Sequence, residues 1–419
     1  MLKRLAVVVV SATTTALMLG GCGGSGGATG DSGGAVTLQF VGADYGSGPA
    51  DSSTRYWQNL AQEFHRQNPS ITVDVTTINW NDYDTKVKTQ LQNHQYPDIL
   101  QGEFFPQYAT DGLISPVADI VSDPAIGLPV FKSQFSVGGT QYALPFDTSA
   151  RALFYNKKAF AAAGIAAPPT TWAQLKADAS ALTAKGYIGY ALPLGPEEAQ
   201  AESYLWLLGD GGGWQNAAGK YTIDSPQNVA AFQFLKTLVS GGLTEPDPAT
   251  YDRTSGAAAD FAAGKVGMEF NGPFLTATIA AAGVLEPGDY ATAAIPGMNG
   301  PVDQTLGVAD AIQAFKTSDP AKQAAVEKFL DFALDDANQL AWAKEYALLP
   351  GTVSAAARLE NDPVLGSFIK ALPNTVQYPS SADWTATVLP AIKQEIGTAV
   401  TGDPAQVLGA LQNTAASAG

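Results

Sequence analysis

Three short stretches of the chain set an acid beside an aromatic ring: Gly42-Ala-Asp44-Tyr45, Asn79-Trp80-Asn81-Asp82 and Gln101-Gly-Glu103-Phe104-Phe105. Aromatic faces stack on the apolar faces of sugar rings, and carboxylates accept paired hydrogen bonds from hydroxyls. A single stretch of this kind carries little weight, because an acid just ahead of a helix serves as an N-cap; that is the plain alternative for Asp82. The three gain weight from their position, since each follows a segment that reads as a strand.

Those segments come in a regular order. Residues 36–41 alternate as a short strand, and Asp51-Ser-Ser offers a cap to a helix with Trp57, Leu60, Ala61 and Phe64 on one face. Asn68-Pro69 stops it. Residues 71–75 alternate again, Asn81-Asp82 caps a helix carrying Tyr83, Val87 and Leu91, and 96–100 form a third strand. Strand–helix–strand–helix–strand predicts a parallel sheet with right-handed crossovers. The pattern returns with helices after Thr171 and Ser225-Pro226 and with strands at 187–192 and 266–270. Beyond a strand at 308–315 the chain reads as helix over 319–347, 353–372, 384–398 and 403–416. Two α/β units and a helical tail predict two lobes, with ligands at the carboxyl ends of the strands.

Composition narrows the chemistry. The two histidines, His65 and His94, read as surface residues, and Cys22 is the only cysteine. That is too little for a His/Cys metal site or a nucleophile–histidine triad, so no metal and no cofactor is expected. The net charge of −16 opposes binding to nucleic acid or to anionic headgroups.

The first residues read as an export signal. Lys3 and Arg4 precede an apolar run over 5–18 that is too short to span a bilayer comfortably. Leu19-Gly20-Gly21-Cys22 resembles the bacterial lipobox, whose cysteine takes a diacylglyceryl group and becomes the mature N-terminus; an ordinary cleavage site with a chance cysteine is the alternative. Removing residues 1–21 takes away Lys3 and Arg4 and leaves 398 residues with net charge −18. Residues 22–35, rich in glycine and serine, read as a flexible tether. They include Gly23-Gly24-Ser25-Gly26-Gly27, a formal match to a hydrolase elbow that lacks the strand such an elbow needs.

Further stretches strengthen one resemblance. They are Tyr83-Asp-Thr-Lys-Val-Lys-Thr-Gln-Leu, Tyr96-Pro-Asp-Ile, Tyr108-Ala-Thr-Asp-Gly-Leu-Ile, Leu144-Pro-Phe-Asp-Thr and Leu153-Phe-Tyr-Asn-Lys157. Pro168-Pro-Thr-Thr-Trp172, Phe261-Ala-Ala-Gly-Lys-Val-Gly-Met268, Asn271-Gly-Pro-Phe274 and Leu348-Leu-Pro-Gly351 follow. In this order, over 36–390, the chain resembles the sugar-binding extracellular solute-binding proteins of bacterial ABC importers, of the maltose, maltodextrin and trehalose type. The lipobox agrees, since such proteins in Gram-positive bacteria are lipid-anchored on the outer face of the cell membrane.

The resemblance implies an α/β, two-lobed periplasmic-binding-protein-like fold with a hinge and a helical C-terminal segment. Lobe 1 would take 36–147 and 302–346, and lobe 2 would take 148–301 and 347–419. It implies a single copy of the chain that captures a mono- or oligosaccharide between the lobes, delivers it to a membrane permease and is not an enzyme. Carried over motif by motif, Asp44, Trp80, Asp82 and Glu103 fall in lobe 1 loops. Asp147 and Arg151 flank the first crossing, where a hinge ion pair is the alternative, and Glu198 and Trp214 bracket a helix of lobe 2, where Trp214 could equally be core. The chain departs from the family at Phe274, where a tryptophan is usual, and at Leu306-Gly-Val-Ala-Asp310, which adds a carboxylate. Trp384 resembles the stacking tryptophan of maltodextrin binders. Two other readings stay open: a secreted glycosidase, or a binder of a non-sugar solute such as a glycerol phosphodiester, a polyamine or a peptide.

Overall fold

The computed structural model describes residues 35–45 and 52–418; the leader, Cys22 and the tether through residue 34 lie outside them. Alternation carries Val36–Asp44 and Ile71–Asn79 as strands, each longer than the 36–41 and 71–75 read from sequence. They pair in parallel from Val36↔Ile71 to Asp44↔Asn79, and Val36–Asp44 also pairs in parallel with Ile99–Gly102. The expected parallel sheet is therefore present, but it is half of a mixed one. Thr305–Ala314 runs antiparallel between Ile99–Gly102 and Leu144–Ala150, and Leu349–Pro350 closes that edge. Thr375–Val376 pairs with Thr305–Leu306. The large sheet thus runs past the expected boundaries at 147 and 346.

A second, four-stranded sheet is ordered Tyr290–Ala293, Ala152–Asn156, Val266–Asn271, Ile188–Tyr190. Only Arg151 separates the last strand residue of the large sheet, Ala150, from the first of the small one.

Helices cover both sheets with apolar faces. Thr54–Gln67 buries Tyr56, Trp57, Leu60, Ala61 and Phe64, the periodicity of its sequence. Trp57 packs on Phe40 and Phe146 at ring distances of 4.3 and 4.7 Å. This cluster, with Phe329 and Trp342, is the outer core of the first lobe. The second lobe has its own core around Trp206, Trp214, Phe232 and Ile392. Thr171 and Gln174 form a reciprocal capping box at the start of Trp172–Thr183, and the Ser225 side chain caps Pro226–Ser240.

Three local expectations shift. The Asn79 side chain, not Asn81-Asp82, caps the helix that begins at Trp80. The long helix expected over 319–347 is two, Pro320–Ala333 and Asp336–Tyr346, because Asp335 leaves the helical conformation and caps the second with its carboxylate. The helix expected over 353–372 is also two pieces, Val353–Arg358 and Gly366–Ala371. Among the described residues no helix is long and apolar enough to cross a membrane.

Candidate functional site

Parallel strands end together, and their ends define the site. Asp44 ends the first strand, Trp80 follows the second and Glu103 follows the third. The antiparallel strand reaches past Gly102 so that Asp310 lies at this same edge, and Asp147 is its register partner. One sheet edge thus gathers acids from residues 44 to 310.

At its centre is a pair of carboxyl groups. Asp147 is fully buried, and burial with the facing Asp310 holds its carboxyl well above the usual carboxylate range. Asp310 is also raised, by burial, while hydrogen bonds from Tyr45 and Asp147 pull it back down. The two carboxyls therefore titrate as one coupled pair that holds a proton above the usual carboxylate range. Tyr45 Oη donates to Asp310 Oδ2 at 2.6 Å, and Gln101 Nε2 donates to Tyr45 Oη at 2.7 Å. The sheet edge is tight here: Gly102 has φ +130°, and a Cβ on it would lie 2.4 Å from the Tyr83 hydroxyl, which donates to Gln101 O at 2.8 Å.

Trp80 is half-buried, edge-on to Tyr45 at 5.7 Å and tilted on Tyr83 at 4.8 Å. Glu103 is half-buried, and burial followed by the charge of Asp84 pushes its carboxyl up to about 8; Lys393 and Lys88 pull the other way.

The second lobe presents the opposite chemistry. Glu198 bridges two buried guanidinium groups, Arg151 and Arg253, and Arg253 Nη2 also meets Glu202 Oε2 at 2.9 Å. Glu202 accepts further bonds from Tyr190 Oη at 2.6 Å and Trp206 Nε1 at 2.8 Å. Arg151 lies over the Phe274 ring, 5.1 Å from its centroid, a cation–π contact. Gly272 makes room for it, since a Cβ there would meet Phe274 at 2.6 Å and Arg151 Nη1 at 3.1 Å. Arg151 Nε and Nη1 and the buried Tyr378 hydroxyl have no partner among the described residues. Buried polar groups are ordinarily satisfied, which sets these donors apart from their surroundings.

The candidates from sequence divide accordingly. Trp80, Glu103, Asp147, Arg151, Glu198, Phe274 and Asp310 lie at the two facing edges. Asp44 lies at the edge too, but its carboxylate accepts from Ser53 N, Ser53 Oγ and Ser52 Oγ at 2.8–3.1 Å and so secures the start of the next helix. Asp82 faces solvent, 58% exposed, and pairs with Lys86 one helical turn on at 2.8 Å. Trp214 and Trp384 are core residues of the second lobe, 0% and 2% exposed, with rings 5.9 Å apart. Trp384 lies near-parallel to Tyr221 and Tyr378. Sequence reasoning missed Tyr45 as a partner of the acid pair, and it missed Gln101, Asp84, Arg253, Tyr378 and Lys393. The adjacent Asp44-Tyr45 was the one available signal; the others come together only through strand register and helix packing. The surface recesses by Ser115, Asp119 and Phe315 and by Thr387, Asn413 and Ser417 hold none of these side chains.

Two sheets joined at the single-residue crossing Arg151, with buried polar atoms gathered beside it, make a two-lobed fold. The chain belongs to the bacterial extracellular solute-binding protein family, whose model matches residues 50–340. A Brucella abortus (strain 2308) chain named as a binding protein is 28% identical over 338 residues, covering 78% of this chain and 81% of its own. The diacetylchitobiose-binding protein DasA of Streptomyces coelicolor is 24% identical over 405 residues, 92% of this chain and 91% of its own. Among solved structures, a solute-binding protein of Thermotoga lettingae bound with α-D-tagatose superposes with TM-score 0.80 at 21% identity, covering 91% of this chain and 99% of its own. The acarbose-binding GacH receptor of Streptomyces glaucescens follows at 0.78 and 22% identity, with 92% and 98% covered.

Proposed function

We propose that this chain captures a neutral mono- or oligosaccharide between its lobes and hands it to an ABC permease. The observation that carries the reading is the set of unpartnered buried donors, Arg151 Nε and Nη1 and Tyr378 Oη, together with the buried Asp147–Asp310 carboxyl pair. Sugar hydroxyls offer acceptors to these donors. Trp80, Tyr45 and Phe274 supply rings beside them, and tagatose and acarbose in the similar structures point to the same ligand class. Tyr45, Trp80, Glu103, Asp147, Arg151, Glu198, Phe274, Asp310 and Tyr378 form the proposed site.

No catalysis is assigned. A glycosidase holds its two carboxyl groups about 5–5.5 Å apart when retaining and further apart when inverting. Asp147 and Asp310 instead hydrogen-bond each other across adjacent strands, which leaves no room for a scissile bond between them. An anionic ligand is disfavoured because Glu198 already engages Arg151. The reading also includes a lipid anchor on Cys22 that holds a single copy of the chain at the outer face of the cell membrane. Cys22→Ala would then release the protein from the membrane fraction or leave the precursor uncut.

The test is a thermal-shift screen against neutral sugars, with the bound sugar recovered and analysed. A binding sugar at 100 times its Kd raises stability by about 2.7 kcal/mol. Intact recovery supports the proposal, whereas turnover abolished by Glu103→Gln replaces it with the glycosidase.

A further inference from the structure

The two lobes meet a second time, away from the crossings, and the meeting is polar. Helix Trp80–Gln92 belongs to the first lobe and buries Tyr83, Val87 and Leu91. The helical run from Trp384 to Glu395 belongs to the second, whose core takes Trp384, Val388 and Ile392. With their apolar faces turned inward, the two runs touch through what remains. Asp84 Oδ2 meets Lys393 Nζ at 3.0 Å, with side chains 32% and 17% exposed. Lys88 Nζ donates to Thr385 O at 3.2 Å. Asp84 and Lys88 stand four residues apart, so one helix face makes both bonds.

We propose that Asp84, Lys88 and Lys393 form an interlobe clamp that sets how long the lobes stay together. They are positioning residues: they act on lobe closure, whatever the solute. An apolar seam would have to expose greasy surface to open, whereas this one exchanges two half-buried polar contacts for water. Half-buried charges are screened less than fully exposed ones, so the clamp retains strength in salt. Glu103 lies within electrostatic reach of all three charged groups, and Lys393 is raised because Asp84 and Glu103 outweigh its burial. The clamp therefore borders the proposed ligand site. The inference rests on the two-lobed architecture and not on the identity of the sugar.

The test needs no ligand. Hydrogen exchange and small-angle scattering are measured on the full-length chain, on Lys393→Met, on Asp84→Asn and on the charge swap D84K/K393D. The clamp predicts that each single change speeds exchange in 80–92 and 384–395 together, by about five- to tenfold, with no change in the helix 54–67. The radius of gyration rises with it, and the swap restores both. Faster exchange only in the helix that carries the substitution, no change in either segment, or a swap that behaves like the single variants would overturn the inference. Neutral-sugar binding that fails in the unaltered chain would count against the proposed function and leave the clamp standing.

Discussion

The facing edges solve one problem, charge buried away from water, in two ways. The first lobe keeps protons on its acids: Asp147 and Asp310 share one, and Glu103 is raised to about 8. The second keeps its charges and pairs them, two arginines against Glu198 and Glu202. The difference follows from what stands nearby. Among the described residues no cation forms an ion pair with Asp147 or Asp310, and burial outweighs the distant pull of Arg151, so neutralisation by a proton is the cheaper state. Arg253 touches two carboxylates, and their charges outweigh its burial and raise its proton affinity. At these edges the acid pair with Glu103 is therefore the side sensitive to pH, and the arginine network the side sensitive to the loss of a partner.

The largest expected effect comes from breaking the paired side. Arg253→Met would leave Glu202 and part of Glu198 buried without a counter-charge and should lower unfolding free energy by about 3–5 kcal/mol in urea titrations. Replacing Glu202 by Gln in that background should recover part of the loss. Full additivity of the two changes would mean that they do not form one network.

The protonated side should answer to pH. Glu103 has a folded pKa above its unfolded value, so its stabilising contribution is complete below about 4.5 and is lost as pH rises through about 8. Each such carboxyl adds a fall of at most about 1.4 kcal/mol per pH unit inside that window. Glu103→Gln should flatten the fall, matching the parent near pH 4 and exceeding it near pH 9. Equal slopes in the two proteins would remove Glu103 from the protonated set. Glu269 in the second lobe, also near 8, supplies a control outside the acid pair.

Trp80→Ala tests the aromatic contribution. Its ring is half-buried, so sugar affinity should drop by about 1–3 kcal/mol by calorimetry while unliganded stability changes by less than the roughly 3–5 kcal/mol of a fully buried ring. The smallest effect belongs to Asp82→Asn. Among the described residues that carboxylate makes an exposed pair with Lys86, so stability should move by no more than about 0.5 kcal/mol and sugar affinity should not change.

Periodicity and loop chemistry determined much of this protein. The burial of Trp57, Leu60, Ala61 and Phe64, the capping at Thr171 and Ser225, and the parallel core of the first sheet were legible because they depend on residues close in sequence. The acids after the first three strands were legible for the same reason. Only the tertiary structure decided which of them matter together. Strand register set Asp310 opposite Asp147, and the antiparallel insertion that carries it has no local signature. Helix packing turned Asp82 outward and Asp84, two residues on, toward Lys393. Trp214 and Trp384 have the composition of ligand-stacking rings, yet neighbouring rings bury them in the core. A side chain's type follows from the sequence, but its partners are set by contacts hundreds of residues away, and those contacts determine whether it holds a charge, a proton or a place in the core.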